Sequence, residues 1–178
     1  MPTKKTDFMN IETQRLIIQP LSRQQLFAYT LDDTSLEAAL QLSRRTRIVT
    51  ERLQKSIETK LLPQLTGDPA NDLYCTFWMV IHKEQQLMVA DICFKGSPNE
   101  NGEIEIGYGT YPDYQGKGFM TEAVAGIIGW AFQQENVRAV LAETDPENIA
   151  SHHILEKTGF IIERRTDENI YWRLQKRE

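Results

Sequence analysis

One stretch constrains the fold of this chain more than any other: residues 102–132, which read GEIEIGYGTYPDYQGKGFMTEAVAGIIGWAF. Its first part alternates carboxylates, Glu103 and Glu105, with isoleucines. A period of two with one apolar face predicts a β-strand. Pro112 then ends the strand pattern, since proline cannot donate a backbone hydrogen bond to a neighbouring strand.

Glycines occur both inside this strand and in the turn after it. Gly107 and Gly109 fall within the strand pattern, where glycine often marks a bulge or a place where a ligand meets the backbone. Gly116 and Gly118 precede a helix, in which one apolar stripe is formed by Met120, Val124, Ile127 and Ala131. The first turn of a helix leaves N–H groups unpaired beside a partial positive charge. Such a turn suits a pyrophosphate.

Two well-known phosphate-binding motifs do not fit this turn. A Walker-type loop needs an earlier Gly and a Ser or Thr after its Gly-Lys pair, whereas this chain has Tyr111 and Gly118 at those positions. The dinucleotide fingerprint needs a third glycine, whereas this chain has Pro112 or Thr121 there. Both motifs are therefore excluded.

The same turn resembles the acyl-CoA-binding motif of the GNAT superfamily of N-acetyltransferases, which reads Gln or Arg, two residues, Gly, one residue, then Gly or Ala. Gln115, Gly118 and Met120 occupy these positions, and Met120 departs from the small residue of the pattern. The runs YQGKGFMTEA and ETQRLIIQPL are similar to the RimJ/RimL-like branch of ribosomal-protein N-terminal acetyltransferases. A second segment, residues 143–160, resembles the family's pattern of Asn, helix and closing Gly-Phe.

Length and element order predict a single domain over residues 1–178, because 178 residues with 40% hydrophobic content support one well-buried core. The resemblance implies an α+β (mixed α/β) fold. Its centre is a mixed, mostly antiparallel, twisted sheet of about seven strands with helices on both faces.

The periodicity of the remaining chain predicts the other elements. Ser22 and Gln25 have the spacing of a capping box, and Asp145 is the expected N-cap of a late helix that Gly159 ends. Strands are predicted at 15–18, 77–82, 87–94, 137–142, 160–163 and 170–174, helices near 22–29, 36–43 and 49–61, and a loop at 67–72.

The resemblance implies acetyl-CoA as the co-substrate, without a metal. The implied contacts come from the strand end, the glycine turn and the second motif: Gly109, Thr110, Tyr111, Gln115, Gly116, Lys117, Gly118, Phe119, Met120, Thr121, Asn148 and Ser151. Alternatively, Asn148 only bonds the local backbone in the first turn of its helix. A bulge at 109–111 would free strand amides to bind the pantetheine arm and the thioester oxygen.

Acetyl transfer to an amine requires a group that removes the amine proton, and two carboxylates are candidates. Glu105 occupies the strand position where several family members place a general base. Glu103 shares its face, and repulsion between the two carboxylates would raise the pKa of one of them. The alternative is that both carboxylates are simply solvated.

The reaction also requires protonation of the departing thiolate. Many family members use a Tyr seven residues after the Asn of the second motif, but this chain has Leu155 there. Ser151 is the substitute that we expect, either donating directly or ordering a water. Alternatively, Ser151 is only a small helix residue. The loss of the tyrosine also leaves open a CoA-binding module that is catalytically weak or inactive.

Composition limits the partners and the location. A net charge of −5 and a pI near 5.3 argue against nucleic acid, so Arg44, Arg45 and Arg47 are interpreted as a solvated helix face or an anion site. Two cysteines within apolar runs suit the cytoplasm. MPTKKTDF lacks a signal-peptide core, and the apolar runs are too short for a membrane. The expected partners are acetyl-CoA and an amine acceptor, either a protein N-terminus or a small molecule, and a homodimer remains open.

Overall fold

The computed structural model describes residues 9–177, and these contain one sheet of eight strands. Neighbouring strands run antiparallel except the β5–β6 pair. The spatial order is β1-β2-β3-β4-β5-β6-β8-β7. The strands are β1 (Ile11–Glu12), β2 (Leu16–Pro20), β3 (Phe77–His82), β4 (Leu87–Phe94), β5 (Glu103–Thr110), β6 (Ala139–Thr144), β7 (Ile161–Arg165) and β8 (Ile170–Gln175).

This sheet confirms the predicted fold class, with one strand more than the sequence indicated. The additional strand is β1, which has only 2 residues and pairs Ile11 with Ile18 of β2. Two residues are too few to show a period of two, so the sequence pattern could not reveal it. Among residues 9–177, none of the helices combines the length and the apolar character that a membrane span requires. Residues 1–8, on which the signal-peptide prediction rests, lie outside the described residues.

Within residues 9–177, six α-helices accompany the sheet: α1 (Arg23–Thr30), α2 (Ser35–Ala39), α3 (Glu51–Ser56), α4 (Pro69–Asp72), α5 (Phe119–Ala131) and α6 (Ile149–Lys157). A π-helical segment (Ile57–Leu61) and a 3-10 turn (Leu62–Gln64) extend α3. The predicted capping box of α1 is confirmed, because Ser22 and Gln25 each accept a hydrogen bond from the other's backbone.

Two predictions, one of a helix and one of a loop, are wrong in part. The helix expected over 36–43 ends at Ala39, and Gln41 then adopts a φ of 58°. The loop expected at 67–72 contains α4, because Asp68 accepts a hydrogen bond from the Ala70 N–H and Pro69 occupies the first turn. Asp followed by Pro is a helix-start signal, and here it outweighs the loop-like composition around it.

Helices cover both faces of the sheet, as predicted. Phe77 and Trp78 are adjacent on β3, so their side chains point to opposite faces. The ring of Tyr29, on α1, lies 5.3 Å from that of Phe77. The ring of Trp130, on α5, lies 5.0 Å from that of Trp78, and the predicted apolar stripe of α5 is buried on this face.

The sheet opens beside β5, and this opening positions the site. The parallel pairing of β5 with β6 ends at Ile106 and Ala142, so the rest of β5 pairs only with β4. The register between β4 and β5 is regular through Thr110, which makes the expected bulge at 109–111 wrong. The strand amides are freed instead by divergence of β6, which begins at Gly107.

The entry into α6 also differs from the prediction. Asn148 is the N-cap, and its side-chain oxygen accepts a 3.1 Å hydrogen bond from the Ser151 N–H. Asp145 instead accepts from the Glu147 N–H at 2.8 Å and stabilises the preceding turn. Gly159 follows the helix with a φ of +92°, which confirms the predicted helix stop.

Candidate active site

A cavity of about 490 Å³ lies between the end of β5, the glycine turn and α6. Its walls include most of the residues predicted to contact a cofactor: Gly109, Thr110, Gln115, Gly116, Gly118, Phe119, Met120, Thr121, Asn148 and Ser151. The two sequence motifs, separated along the chain, therefore meet at one cavity.

The glycine turn presents unpaired backbone amides at this cavity. Gly116 and Gly118 have φ angles of +72° and +75°, a region that residues with a side chain rarely adopt. Gly118 is the N-cap of α5, and the first hydrogen bond of the helix runs from the Glu122 N–H to its carbonyl. The amides before Glu122 therefore have no partner within the helix, and they carry the positive end of its dipole.

The start of α5 is held in place by the Glu122 carboxylate. It accepts hydrogen bonds from the Thr13 hydroxyl at 2.6 Å and from the backbone and side chain of Arg15, each at 2.7 Å. Burial tends to raise the pKa of Glu122, but these hydrogen bonds outweigh it and lower that pKa. Arg15 also donates to the Lys117 carbonyl at 3.0 Å, so the turn is tied to the first strands of the sheet.

Two of the predicted contact residues do not line the cavity. The Lys117 ammonium donates to the Asp113 carbonyl at 2.8 Å and lies 5.3 Å from the ring centre of Tyr114. Tyr111 is buried on the other side of β5, beside Asp91. Tyr114, by contrast, lines the cavity, and its hydroxyl accepts a 3.2 Å hydrogen bond from Arg44.

Several residues that line the cavity were not predicted. Four of them lie on α6, on the same side of the helix as Asn148 and Ser151. The helical spacing from those two residues was therefore a signal that could have identified them. The unpredicted lining residues are Tyr108, Tyr114, Ala150, His153, Ile154 and Lys157.

Tyr108 places a phenol near the predicted proton donor. Its hydroxyl donates a long hydrogen bond of 3.4 Å to the Ser151 carbonyl, and burial raises the pKa of Tyr108 to about 12. Tyr108 and Ser151 also line a smaller opening between the diverging ends of β5 and β6. Leu155, the position at which the resemblance implies a tyrosine, is fully buried in the core. The chain therefore has a phenol at this opening, supplied by the strand instead of the helix.

The two strand carboxylates each have a cationic partner of their own. Glu105 forms an ion pair with Lys95, and Glu103 pairs with Arg173 at 2.7 Å. Hydrogen bonds from Asn99 and Arg173 lower the pKa of Glu103. The expectation that repulsion between Glu103 and Glu105 raises a pKa is therefore wrong for Glu103. Glu105 lies on the sheet face opposite α5 and does not line the cavity.

A third carboxylate, Asp91, was missed by the sequence analysis. It lies on β4 directly across from Gly109, and the Tyr29 hydroxyl donates to it at 3.2 Å. Burial raises the pKa of Asp91 to about 6, although the Tyr29 and Tyr111 hydroxyls partly oppose this effect. A charged residue inside the apolar strand LMVADICF was the signal that could have found it.

The comparisons with known proteins all lead to one family. The family model described as Acetyltransferase (GNAT) domain matches residues 15–161. YjdG of Bacillus subtilis, named an uncharacterized N-acetyltransferase, is 36% identical over 95 residues, 53% of this chain and 56% of YjdG, so the match spans about half of that relative. YnaD of the same organism, also named an uncharacterized N-acetyltransferase, is 28% identical over 154 residues, covering 85% of this chain and 82% of YnaD.

A solved structure shows the same fold. It is RimL, a ribosomal L7/L12 α-N-protein acetyltransferase, in complex with coenzyme A. The match spans 94% of this chain and 98% of RimL, with a TM-score of 0.64. Sequence identity is 16%, so the likeness concerns the fold.

Proposed function

This chain belongs to the GNAT acetyltransferase family, and we propose that it moves an acetyl group from acetyl-CoA directly to a primary amine. The observation that carries the proposal is the cavity at the start of α5, where unpaired helix amides meet the strand opening beside β5. Helix N-termini with free amides bind phosphate groups. The coenzyme A bound in the RimL structure is a further argument for the co-substrate.

In this proposal the glycine turn binds the pyrophosphate of acetyl-CoA. Gly116 and Gly118 allow close approach because neither carries a side chain. The pantetheine arm would bind along β5 beyond Ile106, where β6 no longer occupies the strand amides. The same amides would stabilise negative charge on the thioester oxygen during attack. Asn148 and Ser151 would border the arm from α6.

The proton transfers are assigned to side chains of this chain. Glu105 takes the proton of the attacking amine, directly or through a water, as the new C–N bond forms. The C–S bond breaks, and the thiolate takes a proton from Ser151 or from a water that Ser151 orders.

The proposed acceptor class is a primary amine, either a protein N-terminus, as the name of RimL suggests for that protein, or a small-molecule amine. The proposed location is the cytoplasm. Two cysteines without a disulfide, Cys75 and Cys93, agree with a reducing compartment.

A thiol-release assay tests the proposal. The protein is mixed with acetyl-CoA and a panel of peptides with free N-termini, polyamines and amino sugars, and free coenzyme A is followed with a thiol reagent. We expect release above the rate of acetyl-CoA hydrolysis with at least one amine. Saturable binding of CoA by calorimetry, with no release for any amine, would instead support a catalytically inactive binding module. Absence of CoA binding would contradict both.

A further inference from the structure

The sheet face opposite α5 has an open surface along β5, which we name the glycine trough. Its floor is formed by Gly107 and Gly109, and its side is formed by Asp91 and Cys93 of β4, which lie directly across from these glycines. A side-chain carbon added at Gly109 would meet no atom within 4 Å, and one added at Gly107 would lie 3.6 Å from the Cys93 sulfur. The trough is therefore open because its floor lacks side chains.

The glycine trough and the acetyl-CoA cavity share a stretch of backbone. Gly109 lines the cavity, and Gly107 lines the smaller opening between β5 and β6. A group in the trough would thus approach the proposed thioester position from the sheet face opposite α5. This approach leaves the cavity itself to the co-substrate.

Charge distinguishes Asp91 from the other carboxylates on this face. Glu103 forms an ion pair with Arg173, and Glu105 forms one with Lys95. Asp91 makes no ion pair among the described residues, and its hydrogen-bond donor is the neutral hydroxyl of Tyr29. A partly buried carboxylate without a counter-ion attracts cations more strongly than a solvated one, because the surrounding dielectric constant is lower.

We propose that Asp91 binds the ammonium group of the acceptor in the glycine trough and thereby selects cationic amines. Residues directly opposed in an antiparallel pair have Cα atoms about 4.5–5.5 Å apart, so the Asp91 carboxylate lies beside the Gly109 backbone. An alkylammonium group has three N–H donors, which suit a carboxylate as a hydrogen-bond acceptor. The identification of this cation as the acceptor rests on the proposed function, whereas the binding of an ammonium group does not.

The environment of Asp91 sets the pH range of this binding. The groups that face it are the hydroxyls of Tyr29 and Tyr111 and the thiol of Cys93. Behind these groups, Arg47 acts on Tyr29, and Lys95 and Glu105 act on Cys93. Burial raises the pKa of Asp91 to about 6. The carboxylate is therefore ionised at neutral pH, and ammonium binding weakens as pH falls through that value.

Binding of a small ammonium probe to the CoA-loaded protein tests the inference without turnover. The probe is n-butylammonium and its neutral counterpart is n-butanol, and the amide NMR signals of Gly107 and Gly109 report binding. At about pH 7.5 we expect n-butylammonium to bind the wild type at least about tenfold more tightly than n-butanol. Asp91→Asn should abolish this preference, Asp91→Glu should retain part of it, and lowering the pH of the wild type to about 5 should reduce it.

Glu163→Gln is the matched control, because it removes a carboxylate from an exposed position elsewhere on the sheet. It should leave the preference unchanged. The inference is overturned if wild-type Gly107 and Gly109 do not distinguish the two probes, or if Asp91→Asn keeps the preference. Thiol release without this preference would support acetyl transfer and exclude Asp91 as the ammonium site. The preference without thiol release would support Asp91 as the ammonium site and contradict the proposed function.

Discussion

At the scale of single residues, the turn before α5 depends on a φ angle of +75° at Gly118. Valine at this position is strained by the backbone, and its Cβ would lie 3.5 Å from the Arg15 guanidinium. We expect Gly118→Val to weaken CoA binding at least about tenfold, because the turn would shift away from the pyrophosphate. Calorimetry with CoA measures the change.

The matched control for this substitution is Gly129→Val, in the same helix. Gly129 is exposed, and an added side-chain carbon there meets nothing within 4 Å. CoA affinity should stay at the wild-type value in this variant. Unchanged affinity in a folded Gly118→Val protein would remove the glycine turn from the cofactor site.

Glu105 provides a prediction about pH and rate. If it accepts the amine proton, Glu105→Gln should lower turnover most at neutral pH and less at high pH, where more acceptor amine is already deprotonated. CoA affinity should barely change, since Glu105 does not line the cavity. The measurement is the pH–rate profile of thiol release. A profile parallel to that of the wild type would exclude Glu105 as the base and direct the same test to Glu103.

The proton donor to the thiolate gives a prediction that compares two hydroxyls. If Ser151 protonates the thiolate, Ser151→Ala should reduce turnover by about 10²- to 10⁴-fold with little effect on CoA binding. Tyr108→Phe removes the neighbouring hydroxyl while retaining the aromatic ring. Thiol-release rates of the two variants identify the donor, and full turnover in both would leave bulk water as the source. Installing tyrosine at Leu155 is unsuitable as a rescue, because that side chain is fully buried.

At the scale of elements, the sequence predicted best where neighbouring residues decide the structure. The strand, glycine turn and helix over 102–132 were predicted correctly because period, glycine position and apolar stripe are all local signals. The N-cap of α6 was misplaced because Asp145 and Asn148 are both good capping residues, and local sequence does not rank them. Asp91 was missed because its role depends on Tyr29, which is distant along the chain.

The connection between α1 and α3 is organised by Arg47, which was wrongly interpreted as part of a solvated face. Its guanidinium is fully buried, forms an ion pair with Glu37, and donates to the carbonyls of Tyr29, Leu31 and Asp33 at 2.9 to 3.1 Å. One side chain thus supplies hydrogen-bond donors to the backbone carbonyls at the end of α1 and in the turn after it. No periodicity of the sequence distinguishes this arginine from Arg44, which is exposed, or Arg45, which is half-buried.

Removing Arg47 should therefore destabilise the protein strongly. Arg47→Met leaves the buried Glu37 carboxylate and several carbonyls without a partner, and we expect a loss of about 3–5 kcal/mol in the free energy of unfolding. Urea unfolding measures it. The double variant Arg47→Met, Glu37→Met should recover part of the loss, because no buried charge remains. Equal stability of the single variant and the wild type would contradict the assigned role of Arg47.

At the scale of the whole molecule, the divergence of β5 and β6 connects the two faces of the sheet. On one face the cavity lies between α5 and α6, and on the other the glycine trough lies beside Asp91. Sequence motifs predicted the first because phosphate binding requires glycines at fixed spacing. They could not predict the second, because its shape depends on which strands are neighbours and where their pairing ends.

The raised pKa of Asp91 makes a prediction for the stability of the whole protein. A carboxyl with a native pKa of about 6, above its ordinary value of 3.8, binds protons more readily in the folded than in the unfolded state. Its contribution to stability therefore falls as pH rises from about 4 to about 6 and stays low above that range. Glu122 has a lowered pKa and acts in the opposite direction, losing its contribution as pH falls.

Asp91→Asn should separate these effects, because it removes the titrating group and keeps an acceptor for the Tyr29 hydroxyl. At about pH 7.5 we expect the variant to be more stable than the wild type by about 1–3 kcal/mol, since each unit of pKa shift corresponds to about 1.4 kcal/mol. The difference should shrink toward about pH 3, where the wild-type carboxyl is protonated in both the folded and the unfolded state because both pKa values lie above that pH. Urea unfolding at several pH values measures it, with Glu163→Gln as the control. A difference that does not depend on pH would show that Asp91 is not desolvated in the folded protein, whereas the expected dependence would mean that the chain keeps a destabilising carboxylate beside β5.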